Sequence, residues 1–103
     1  MKHSEMGLLP KTLYKLRKQY KHTQKELADL LGVSIAMYSK IELGERAVKA
    51  EYIPKLARFL GSDTNDLYSL YLADKFSSES QYYPKQVVDK AFDLIQNQER
   101  ILV

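Results

Sequence analysis

The chain has 103 residues, 16 Lys/Arg against 13 Asp/Glu for a net charge of +3, and no cysteine. This length suits one domain with a core of several helices and no room for a second, catalytic one. Without thiols, disulfides and zinc fingers are excluded, and only His3 and His22 could offer imidazole. The opening MKHSEMGLLPKT lacks a long apolar run, and no segment approaches the roughly 20 apolar residues of a membrane span, so a cytoplasmic location without membrane contact is expected. Charge is unevenly spread: residues 1–58 hold twelve Lys/Arg and six Asp/Glu, net +6, whereas 59–103 hold four and seven, net −3. A basic half suits a polyanionic partner, although Lys-rich helix faces also occur on proteins that bind none.

The first helix is expected from about Pro10 to Tyr20, with Leu13, Leu16 and Tyr20 on one face and Lys11, Lys15, Lys18 and Lys21 outside. Thr23 and Glu26 then form a T-x-x-E capping box for a helix over Gln24–Leu31. His22 precedes that cap, and its ring is expected to act as an imperfect hydrophobic staple against Leu27 rather than as a ligand or base. Gly32 supplies the left-handed residue that stops the helix, Val33 plugs the turn, and Ser34 caps a further helix starting near Ile35. Two short helices joined by such a turn are how many DNA readers are built. Ala28 marks their crossing, and Leu27, Leu31, Val33, Tyr38 and Ile41 form the buried side.

After Gly44 comes a basic loop, and then a helix over about Ala50–Leu60 with Ile53, Leu56, Ala57 and Leu60 at helical spacing. Pro54 inside it implies a late start or an irregular first turn. Gly61 ends it, and Ser62 or Asp63 caps a helix through about Phe76 whose stripe is Leu67, Leu70, Tyr71 and Ala73 or Asp74. SSESQYY, 77–83, reads as a linker. Pro84 then opens a last helix with Val87, Val88, Ala91, Phe92 and Ile95 on one stripe. The expected organisation is a domain over 1–76, a linker over 77–83 and a C-terminal helix over 84–103.

The spacing of Leu16-Arg17, Thr23-Gln24, Glu26-Leu27-Ala28, Gly32-Val33-Ser34, Ser39-Lys40-Ile41-Glu42 and Gly44 resembles the helix-turn-helix of the phage repressor and Cro type, the XRE-like regulators, over about Leu13–Leu70. SKIELGER, KLARFL and LYLADKF are more loosely similar to small regulators associated with restriction-modification methyltransferases. The resemblance implies an all-α, five-helix repressor-like domain, to which the last helix is an addition. That helix needs a partner, either its own domain or a second copy, and a dimer is the expectation. The family has Gly and an apolar residue where this chain has Lys21 and His22.

By that resemblance the helix after Ser34 enters the major groove, with Ile35, Ala36, Met37 and Lys40 toward base edges. Lysine can donate to guanine, and the apolar side chains can meet only the thymine methyl. Alternatively, Ile35 and Met37 pack within the domain. Gln24 matches the family's phosphate-clamping glutamine at a helix start. Ser34 lies at the same contact edge; Ser39, Arg46, Lys49 and Lys21 are the other expected backbone contacts, Arg46 being otherwise a solvated charge. Arg17 and Glu42 match the family's internal ion pair.

The expected function is a homodimeric, sequence-specific double-stranded DNA-binding transcription regulator, a repressor or restriction-modification-associated controller. The competing class is an antitoxin or adaptor whose main partner is another protein. No convergent acid, base or nucleophile appears, so an enzyme is not expected, nor a cofactor, metal or small-molecule ligand.

Overall fold

The computed structural model describes residues 7–97; His3, the opening residues and the end of the last segment lie outside that range. The chain is all-helical there: α1 Leu8–Gln19, α2 Gln24–Leu31, α3 Ile35–Glu42, a 3₁₀ turn Ala50–Tyr52 leading into α4 Ile53–Leu60, α5 Thr64–Ser80 and α6 Lys85–Gln96.

The α1 helix begins two residues before Pro10, because its cap comes from far along the chain. The Asp74 carboxylate accepts the N–H of Leu8 at 2.7 Å and of Leu9 at 2.9 Å. Pro10 has no N–H, and the Lys11 N–H begins the intrahelical ladder at Gly7, so every first-turn donor is accounted for. The face that points inward is Leu9, Leu13 and Arg17, with Leu16 beside it; Tyr20, expected on that face, is 49% exposed. The helix ends at Gln19, and Tyr20 is its non-helical C-cap, so it leaves the 9, 13, 17 line that follows the i, i+4 ridge toward the core.

The α2 and α3 signals hold as read. The Thr23 hydroxyl accepts from the Glu26 N–H at 3.1 Å and Glu26 Oε1 accepts from the Thr23 N–H at 2.8 Å, closing the capping box. The Ser34 hydroxyl accepts from the Met37 N–H at 3.0 Å. Leu27, Ala28, Tyr38 and Ile41 are almost fully buried, Leu31 nearly so and Val33 half-buried. Pro54 sits in the first turn of α4, behind the 3₁₀ turn, where its missing N–H costs nothing. Ile53, Leu56, Ala57 and Leu60 are all buried, and Leu67 of α5 completes the core.

Helices α1, α2, α3 and α4 end alike. A left-handed residue follows the last turn, and the N–H after it reaches back to a carbonyl five residues earlier: His22 to Arg17, Val33 to Ala28, Glu45 to Lys40, Ser62 to Ala57. Gly32, Gly44 and Gly61 fill that place in three of them, and Lys21, at φ 60°, fills it in α1. An L side chain there costs about 1–2 kcal/mol, so the departure from the family's glycine has a steric cost.

The stretch 77–83 is not a linker throughout. Helix α5 continues to Ser80, taking in four of its seven residues, 77 to 80. Extending a formed helix is far easier than nucleating one, and the break waits for Pro84, which disfavours helix in the residue before it. Pro84 is the cap of α6 rather than its first residue. Helix α6 adds nothing to the buried core: Val87, Phe92, Leu94 and Ile95 are 46–58% exposed, and its aromatic contact is Phe92 with Phe76, ring centroids 6.2 Å apart.

Candidate nucleic-acid interface

Helix α3 is held from behind and open in front. Tyr38, Ile41 and Glu42 bury its inner side against α1 and α2, leaving Ile35, Ala36 and Lys40 exposed on the other. Ile35 is therefore not packed in the domain. Met37 is: it lies half-buried against the core, and its sulfur accepts from Arg46 Nε at 3.1 Å. That contact ties the loop after α3 back to α3 itself, a link with no sequence signal because it joins an arginine to a thioether.

The inner side is fixed by one carboxylate. Glu42, 3% exposed, accepts from Arg17 Nε at 2.6 Å and Nη2 at 3.1 Å in a two-pronged pair. A third prong, Arg17 Nη1, donates to the His22 carbonyl at 3.1 Å. The bond to Glu42 raises the already high pKa of Arg17 against the opposing effect of burial. Tyr38 lies beside this pair with its hydroxyl buried and unpartnered; desolvation first, then the Glu42 charge, pushes the phenol far above its ordinary range.

Gln24 is the first residue of α2, half-buried, and its amide nitrogen donates to Glu42 Oε1 at 3.2 Å. The second amide N–H and the carbonyl oxygen remain free to reach outward. Ser39 is half-buried; Ser34, Arg46, Lys49 and Lys21 are exposed. Lys49 Nζ lies 5.8 Å from the Tyr52 ring centroid. Thus Gln24 and Arg46 are tied to α3 directly, whereas Lys21 lies in the turn before α2 and Lys49 just before the 3₁₀ turn. His22 does pack structurally, half-buried with its ring against Phe59 of α4, centroids 4.4 Å apart. Its Nδ1 is 3.6 Å from Glu26 Oε2.

A family model described as helix-turn-helix matches residues 13–67, more than half of the chain. The chain belongs to this family, the Cro/C1-type helix-turn-helix regulators, a family of DNA-binding regulator domains rather than an enzyme family. No curated protein and no solved structure matches it. Among the described residues no helix is long and apolar enough to cross a membrane.

Proposed function

We propose that this protein is a homodimeric, sequence-specific transcription regulator of the repressor kind that reads duplex DNA with α3. The observation that carries the reading is the outward face of α3, exposed at Ile35, Ala36 and Lys40 while its other side is locked to α1 and α2. That face lies in the half of the sequence with net +6. Gln24, Ser39, Arg46, Lys49 and Lys21 hold phosphates and set the register, and the α3 tip faces the base edges, with Ser34 closing its first turn. Two copies joined through α6 would read an inverted repeat with half-site centres about 34–36 Å apart, or one helical turn.

Selection of binding sites from random duplex DNA with the purified protein tests this. It should return a symmetric site with that spacing. Recovery of no preferred sequence would favour the second reading, an adaptor or antitoxin that binds another protein through the exposed apolar face of α6.

A further inference from the structure

At the tip of α3 the Ser34 hydroxyl and the Met37 sulfur are engaged within the chain, and the exposed side chains of its first two residues are hydrocarbon. The Ser34 hydroxyl accepts from the Met37 N–H, and the Met37 sulfur accepts from Arg46. Ile35 and Ala36, the first two residues of the helix, stay exposed, Ile35 at 48%. Neither offers a donor or an acceptor. A β-branched side chain exposed to water gains free energy by burying its hydrocarbon against another apolar group. In the major groove the apolar group on a base edge is the methyl at C5 of a pyrimidine.

We infer that Ile35, with Ala36 beside it, is a specificity-determining residue that reads a C5-methyl group. The inference rests on α3 being the helix that enters the groove. It also makes the ligand class broader than thymine. Thymine and 5-methylcytosine carry the methyl on the same ring carbon and differ in the neighbouring group, O4 or N4, which only a hydrogen-bonding side chain distinguishes. An isoleucine does not. Affinity for a site with cytosine at this step therefore rises when that cytosine is methylated.

The experiment uses the full chain and its selected site. Each thymine is replaced in turn by uracil, which lacks the methyl, and the dissociation constant is measured at fixed salt. Burial of one methyl implies a loss on the order of fourfold at the contacted step. At that step a cytosine site should be improved by a similar factor when the base is 5-methylcytosine. Ile35→Ala changes an exposed position and should keep its melting temperature, while both ratios fall to near one. If wild type binds its site specifically and no uracil or 5-methylcytosine substitution alters affinity, methyl reading is overturned and the DNA-binding reading stands. Ratios that persist in Ile35→Ala overturn the assignment to this residue. A selection that yields no preferred sequence removes the DNA reading and the methyl inference together.

Discussion

Oε1 of Glu42 accepts from both Arg17 Nη2, at 3.1 Å, and the amide of Gln24, at 3.2 Å. One oxygen thus ties Arg17 of α1 to Gln24 of α2, and under the proposed function stability and DNA affinity share a residue. Glu42→Ala should destabilise the fold by about 3–5 kcal/mol, because it strands a buried guanidinium. The double change Arg17→Met, Glu42→Leu removes both charges and should recover most of that loss. It should not recover DNA binding, since Gln24 still lacks the carboxylate that orients it. Urea unfolding and DNA titration on the three proteins separate the two effects; equal recovery of both would show that Glu42 does not position Gln24.

Lys21 sits at φ 60° where glycine closes the next helices. Lys21→Gly should stabilise the protein by about 0.5–1 kcal/mol, the relief of left-handed strain less the added entropy of the unfolded chain. The same change should weaken DNA binding if the ammonium meets a phosphate, with a salt slope lower by about 0.9. Lys21→Ala keeps the strain and loses the charge, so it should weaken binding without the rise in melting temperature. A stabilised Lys21→Gly with unchanged DNA affinity would leave the lysine no role at the interface.

Arg46 and Lys49 are exposed beside α3, and their proposed work is on the backbone rather than the bases. Arg46→Ala and Lys49→Ala should each weaken specific and random DNA alike and lower the salt slope by about 0.9. Gln24→Ala, a neutral change, should weaken both without altering the slope. An Arg46→Ala protein with unaltered affinity and slope would confine this arginine to its contact with Met37.

Lys40 shares the outward face of α3 with Ala36 one turn away and is exposed. Its expected partner is guanine. Lys40→Ala should cost about 1–3 kcal/mol on the selected site and relax the guanine preference at one position per half-site. Equal losses on specific and random DNA would instead place the ammonium on a phosphate.

The helix-turn-helix was legible because its signals are local. Thr23 with Glu26, Ser34 before Ile35 and Gly32 after Leu31 each act within a turn of where they stand, and the structure shows each in place. The start of α1 was not legible. Asp74 caps it across 66 positions, and an aspartate on α5 carries no mark of that duty. Nor was the end of α5, where serines that look like a linker are carried along by the helix before them. In the candidate site an apolar α3 tip was read, but whether Ile35 and Met37 face outward or pack was left open, and the structure exposes the first and half-buries the second. Arg46, the partner of Met37, lies nine residues away in a loop, and only the fold turns that loop back onto α3.

The last prediction concerns α6, whose apolar stripe the domain leaves largely uncovered. Buried core residues run from Leu9 to Leu67, and none belongs to α6. Deleting residues 82–103 therefore keeps α5 whole and should leave the melting transition close to that of the full chain. If α6 joins two copies, the shortened protein should sediment as a monomer. Operator affinity should then fall by about 10²–10⁴, the advantage that a second tethered half-site confers, while affinity for a single half-site stays as it was. Phe92→Glu gives the same test without truncation: it puts a charge on the stripe at a residue that is 51% exposed and outside the buried core. A shortened chain that remains dimeric would move the interface to another face of the domain, and a full-length chain that is monomeric even on its operator would assign α6 to a different partner.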